Sequence, residues 1–294
     1  MQYQYNNRII PPRHKFSHRA PDQVCPRRTR GGLNSRAANN SKISKEDYSP
    51  GRIGVRLAKY LAQAGIASRR QAEDLIRAGR IKLNSQVATD LASQVDPQND
   101  RVEFDGVVVS PEQPVYILLN KPPGFLSTVA DSRGRPTVVQ LVPNIKQRVF
   151  PVGRLDQDTA GLLLLSNDGA FTNLMIHPRY KIDKKYEAVI RGEISSAEIG
   201  MLRDGICLDD GRTAPAKVRL IRSGTKESVI ELVIHEGRKR QVKRMLAAVG
   251  HPVIKLTRTG LAFLDLAGVK VGQYRYLRQE EVDKLIDLAR HGRA

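Results

Sequence analysis

The chain has 294 residues, enough for one large domain or two medium ones, and its 40% hydrophobic and 27% charged content is ordinary for a globular protein. Lys and Arg outnumber Asp and Glu by 49 to 30, a net charge of +19, which points to a polyanionic partner such as nucleic acid. Cys25 and Cys207 are too few for a disulfide scaffold or a multi-cysteine zinc site, and no apolar run approaches the ~18 residues of a membrane-spanning helix.

Residues 1–50 carry ten Lys and Arg against Asp22, Glu46 and Asp47, with almost no apolar periodicity. Such a segment cannot bury enough surface to offset the entropy of ordering, so a disordered basic tail is expected. It is Arg-rich and acid-poor like a transit peptide, yet it is not Ser-rich and has no clear amphipathic helix. No apolar segment follows Met1, so no secretory signal is expected. A cytoplasmic, bacterial setting is expected ahead of organelle import.

Residues 51–110 read as a compact unit. Leu57, Tyr60, Leu61 and Ala64 share one helical face, and Gly65 stops that helix. Ser68 with Gln71 three residues on forms a capping-box pattern for a second helix, whose apolar face is Ala72, Leu75 and Ile76 and whose end is Gly79. Short strands follow at Ile81–Leu83 and over 102–109, the latter folded about Asp105-Gly106, a hairpin signal. Between 52 and 82 there are eight basic residues and two acids. Lys59, Arg69, Arg70, Arg77 and Arg80 avoid the apolar faces. They form either a solvated surface or a patch that contacts phosphate.

The stretch VRLAKYLAQAGIASRRQAEDLIRAGRIKLNSQ resembles the S4-type RNA-binding domain in order and spacing. That resemblance implies docking on structured RNA by shape and phosphate contact, through those five basic residues.

From about residue 114 strands dominate. VYILLNKPPG reads as a buried strand entering a Pro-Gly turn, YEAVIRG and SVIELVIHEG as strands, and the stretch near Ser195–Arg203 as a helix. RKRQVKRMLAAVG reads as a helix with Val242, Met245, Leu246 and Val249 on one face and Gly250 at its end. Strands punctuated by a few helices predict an α+β catalytic-size domain over 111–294 with a mixed, largely antiparallel sheet.

The densest chemical signal is GRLDQDTAGLLLL at 153–165. Asp156 stands beside Arg154 in a Gly-flanked loop, just before a strand too apolar to be exposed. Taken alone, a generic Arg-Leu-Asp is more often a structural turn, with Asp156 satisfying backbone N–H groups. Asp156 and Asp158 suggest a metal pair, but no further ligand cluster accompanies them, so neither a metal site nor a metal-dependent nuclease is expected. His177 precedes Pro178 and reads as a loop histidine.

Four motifs in order, NKPPGFLST, GRLDQDTAGLLLLSNDG, KKYEAVI and EGRKRQVKRM, resemble the pseudouridine synthases that modify ribosomal RNA. The resemblance covers roughly residues 52–285. The family commonly carries Ser or Glu where Ala160 stands and Thr where Ser166 stands. It implies a bent, mixed, largely antiparallel sheet with a cleft across its middle. The implied reaction isomerises uridine to pseudouridine within RNA, preferentially in the large subunit, without cofactor or metal. The base must leave the stack to be reached. A carboxylate must act at the sugar, either by adding to the anomeric carbon or by taking the neighbouring ribose proton, and the resemblance assigns this to Asp156. It assigns Tyr186 to pack on the uracil and help remove its proton, and Lys243 to hold Asp156 ionised. Arg154 is expected to contact RNA near the flipped nucleotide. Arg240 and Arg244 share the basic side of the last helix with Lys243, and Arg240 is expected to bind RNA. The expected partner is ribosomal RNA or a ribosome-assembly intermediate, with a monomeric protein and no membrane. An idle RNA-binding or assembly factor is the alternative, which loss of Asp156, Tyr186 or Lys243 would have favoured.

Overall fold

The computed structural model describes residues 54–292. The expected basic tail over 1–50 lies outside them.

The N-terminal unit begins with β1 (Val55–Arg56), α1 (Leu57–Gln63) and α2 (Arg69–Arg77). It continues with β2 (Ile81–Leu83), β3 (Gln86–Val87), β4 (Gln94–Val95), β5 (Val102–Phe104) and β6 (Val107–Val108). The expected capping box opens α2: Gln71 N–H donates to Ser68 Oγ at 3.3 Å, and Ser68 N–H donates to Gln71 Oε1 at 3.1 Å. Gly79 closes it with φ of 67°, which lets Gly79 N–H reach Ile76 O and Arg80 N–H reach Leu75 O, so orphan carbonyls at the helix end are satisfied. β5 and β6 turn about Asp105 and Gly106, both at positive φ, as a hairpin demands. Sheet order is β3-β2-β5-β6, with β1 paired to β4. Leu57, Tyr60, Leu61, Ala72 and Ile76 pack on Ile81, Val95 and Val102 in a cluster of their own.

The larger unit contains β7 (Tyr116–Lys121), β8 (Phe150–Val152), β9 (Ala160–Ser166), α3 (Gly169–Ile176), β10 (Lys184–Arg191) and α4 (Ser196–Asp204). Then come β11 (Cys207–Leu208), β12 (Gly211–Arg212), β13 (Lys217–Arg222), β14 (Glu227–Ile234), α5 (Gln241–Ala248), β15 (Val253–Leu261), β16 (Leu264–Asp265), β17 (Tyr274–Tyr276) and α6 (Gln279–His291). A nine-stranded sheet runs β13-β14-β10-β15-β9-β7-β17, with β8 beside β9 and β16 beside β15. The β15–β9 pair is parallel and the others are antiparallel, so the sheet is mixed and mostly antiparallel.

The leucine run of β9 is apolar on both faces because both faces are covered. Leu163 and Leu165 join Ile199 and Leu202 of α4 and Val242, Met245 and Leu246 of α5. Leu162 and Leu164 join Phe171 and Met175 of α3 and Val282 and Leu285 of α6 on the other side. The helix expected over RKRQVKRMLAAVG starts later than that stretch, just before its first apolar residue, Val242. Arg240 takes a left-handed φ of 51°, so 238–240 form a turn and α5 starts at Gln241.

Glu112 links the two units. Its N–H donates to Gln63 O at 2.9 Å, and its Oε2 accepts from Arg148 N–H at 3.2 Å and Asn167 Nδ2 at 3.4 Å. Arg148 also donates to Ala67 O, which brings the start of α2 against the larger unit.

Candidate active site

The loop between β8 and β9 carries Arg154, Asp156 and Asp158, and its backbone is fastened from three sides. Lys121, at the end of β7, is wholly buried. Its Nζ donates to Thr159 O at 2.8 Å, Pro122 O at 3.0 Å, Gln157 O at 3.2 Å and Asp156 O at 3.3 Å. Ser127 Oγ donates to Leu155 O at 2.8 Å and accepts from Leu155 N–H at 3.1 Å. Gly124 N–H donates to Gln157 O at 2.7 Å, and Gln157 Nε2 donates back to Gly124 O at 3.0 Å. The NKPPGFLST motif is thus a cradle for the loop backbone. Lys121, Ser127 and Gln157 were not singled out from sequence. A lysine closing an otherwise apolar strand was the available signal, because a buried ammonium needs acceptors.

Burial pushes the Lys121 ammonium down to about 8, against the opposing pull of the Asp158 and Asp156 charges. The site therefore concentrates charge in a small volume.

Asp156 is half-buried, and its carboxylate forms no hydrogen bond or ion pair among the described residues. The expected pairing of Lys243 with Asp156 is not what the geometry shows. Lys243 Nζ donates to Asp158 Oδ1 at 2.5 Å. Thr159 N–H turns back to Asp156 O at 3.0 Å, and this tight turn presents Asp158 to α5. Lys243 accordingly holds the Asp158 carboxyl below its usual value, with a smaller contribution from Arg240. Arg240 thus stands near Asp158, and both it and Arg154 are exposed. Arg244 turns away instead, donating to Asp209 and Asp210, and fixes α5 to the β11–β12 hairpin.

Tyr186 lies on β10 and is 9% exposed. The sheet register places it in a row with the loop. Tyr186 pairs with Arg258 on β15, Arg258 pairs with Gly161 on β9, and Gly161 pairs with Lys121 on β7. Residues directly opposite one another share a face, so the tyrosine and the cradle lie on one side of the sheet. A Cβ on Gly161 would lie 2.2 Å from Arg258 O, so only glycine allows β9 and β15 to approach this closely. Upstream of Tyr186, Lys184 Nζ donates to Ile182 O and His235 O, tying β10 to the turn before α5.

The basic residues of the N-terminal unit separate into two groups. Arg77 bonds Asp74 at 2.9 Å, and Arg80 pairs with Asp105 while stacking on Phe104. Both guanidiniums are engaged within the protein, which the sequence expectation had not included. Arg69 and Arg70 are exposed, Lys59 is half-buried, and none of the three pairs with a carboxylate among the described residues. Arg69 lies near Gly169 at the start of α3, so the patch continues onto the larger unit.

Residues 115–248 match the family described as RNA pseudouridylate synthase, and residues 55–102 match the S4 domain. The ribosomal large subunit pseudouridine synthase B of Bacillus subtilis is 49% identical over 240 residues, covering 81% of this chain and 98% of that protein. The chain belongs to the RNA pseudouridylate synthase family. An uncharacterized RNA pseudouridine synthase of Aquifex aeolicus is 44% identical over 79% of this chain and 93% of its own length. A crystal structure of a pseudouridylate synthase superposes with a TM-score of 0.57 at 30% identity, covering 79% of this chain and 99% of that one. RNA is accordingly the partner of this S4-bearing synthase.

Proposed function

We propose that this synthase isomerises a specific uridine of ribosomal RNA, with the large subunit preferred, acting as a monomer in the bacterial cytoplasm on rRNA or an assembly intermediate. The division into an S4-type unit over 51–110 and a catalytic unit over 111–294 is part of this reading. The observation that carries it is the Asp156 loop. Its backbone is clamped by Lys121, Gly124 and Ser127 while the carboxylate itself stays available. A preorganised group of this kind costs no reorganisation when substrate arrives.

In this reading the target nucleotide flips out of its stack into the cleft. The Asp156 carboxylate acts at the ribose as the bond from the anomeric carbon to N1 breaks. The uracil turns, its C5 bonds to the same anomeric carbon, and the C5 proton is released while N1 regains one. Tyr186 packs on the base and assists that proton loss. Lys243 and Asp158 form a charged wall at the mouth of the loop, so Lys243 supports Asp156 from beside its neighbour. Arg154 and Arg240 meet the RNA backbone near the flipped nucleotide, and Lys59, Arg69 and Arg70 meet it further away.

The test is a pseudouridine map of ribosomal RNA from cells lacking the protein. One uridine should lose its modification, and the wild-type gene should restore it while Asp156→Asn should not. An unchanged map would instead leave the protein as an RNA-binding or assembly factor.

A further inference from the structure

Arg258 sits where the loop and the tyrosine strand meet. It is 3% exposed. Its Nε donates to Leu162 O at 2.6 Å, while its Nη2 is buried without a hydrogen-bond partner. Among the described residues no carboxylate lies within ion-pair distance of it. It occupies the strand between the two functional elements, opposite Tyr186 on one side and Gly161 on the other.

Such an arrangement is poor for stability. A buried cation without a counter-ion, with one donor left unused, costs folding energy that an apolar side chain of similar length would not. Packing therefore does not account for an arginine here. The nearby Lys184, half-buried, adds a second cation: desolvation and the Arg258 charge push its ammonium down to about 8. Around the buried Arg258 side chain, charge is felt over longer distances than at the surface.

We propose that Arg258 is a positioning residue for the isomerisation, whose Leu162 hydrogen bond and uncompensated charge hold the β9 end of the Asp156 loop in register with Tyr186. The bond to Leu162 O fixes the chain just after the loop, where Lys121 fixes it within the loop. The positive charge behind the cleft favours negative charge on its open side, where the carboxylate stands and where the uracil gathers electrons as the glycosidic bond breaks. Arg258 acts through Tyr186 and the loop and need not touch RNA.

The inference rests on the proposed rRNA isomerase activity. Wild-type turnover on ribosomal RNA tests that reading separately, so its failure is distinct from a failure of the Arg258 variants. The experiment compares full-length wild type, Arg258→Met and Arg258→Lys in melting temperature, RNA affinity and single-turnover rate. The Met variant should melt at or above the wild-type temperature and bind RNA as wild type does. Its rate should fall about tenfold to hundredfold, less than the roughly hundredfold to thousandfold of losing a donor that touches the reacting atoms, and Arg258→Lys should recover part of it. Three outcomes overturn the inference: an unchanged rate in Arg258→Met, a rate loss that follows a lowered melting temperature, or equal loss in the Met and Lys variants.

Discussion

Lys243 Nζ meets Asp158 Oδ1 at 2.5 Å and leaves the half-buried carboxylate of the neighbouring Asp156 without an ion pair among the described residues. Asp158 is 62% exposed, so the pair is worth little as a stabilising contact, about 1 kcal/mol or less.

Replacing Lys243 with Met should therefore barely change the melting temperature while turnover collapses, because the cation beside the loop is lost. Lys243→Arg should retain part of the activity, since charge survives with a different fork geometry. Asp158→Asn should be milder than Lys243→Met. Lys243 holds the Asp158 carboxyl below its ordinary 3.8, so the pair's contribution is complete above that value and fades as pH falls through the lower one. Steady-state rates and melting curves of the three variants check this. Wild-type turnover by Lys243→Met would contradict it.

Lys121 gives a prediction at the other end of the pH scale. Its proton is held at about 8 in the fold against 10.5 ordinarily. Between those values the unfolded chain binds more protons, so this group's contribution to stability rises with pH. Turnover should move the opposite way, declining above about pH 8 as the ammonium that braces the loop carbonyls loses its charge. Lys184 shares this range, so the comparison is between wild type and Lys121→Met. The stability difference between them should change in favour of wild type from pH 8 to 10, measured by denaturant unfolding. A constant difference would contradict the assignment.

The basic patch predicts a selective drop in salt dependence. Each of Lys59→Ala, Arg69→Ala and Arg70→Ala should remove about 0.7–0.9 units from the slope of log affinity against log salt, for each phosphate that the side chain no longer neutralises. Arg77→Ala and Arg80→Ala should change the slope much less, because Asp74 and Asp105 already hold those guanidiniums. Binding titrations with an rRNA fragment at several salt concentrations distinguish the two groups. Equal slopes for all five variants would contradict the division.

What was legible in the sequence was local. Ser68 with Gln71, Gly79 at the end of α2 and the Asp105-Gly106 hairpin act over three or four residues, and the structure places each as expected. The motifs also located the loop, the tyrosine strand and α5. Partners set by tertiary approach were not legible. Arg80 meets Asp105 across 25 positions, and Lys243 meets Asp158 across 85. The motif put Lys243 at the loop, but which of two carboxylates two residues apart receives it depends on the turn at Asp156–Thr159. The row from Tyr186 through Arg258 and Gly161 to Lys121 needs the register of four strands, one of them parallel to its neighbour. Arg240 delays the start of α5 by a backbone conformation that apolar periodicity does not encode.

The most direct test of the account is tritium release from ribosomal RNA labelled at C5 of uridine, with wild type and Asp156→Asn side by side. The Asn side chain nearly matches Asp in shape, so the clamped loop should persist and RNA binding should remain. Wild type should release tritium and form pseudouridine at one position, and Asp156→Asn should bind the same RNA and release none. Sustained release by Asp156→Asn would contradict the placing of the reaction on this carboxylate.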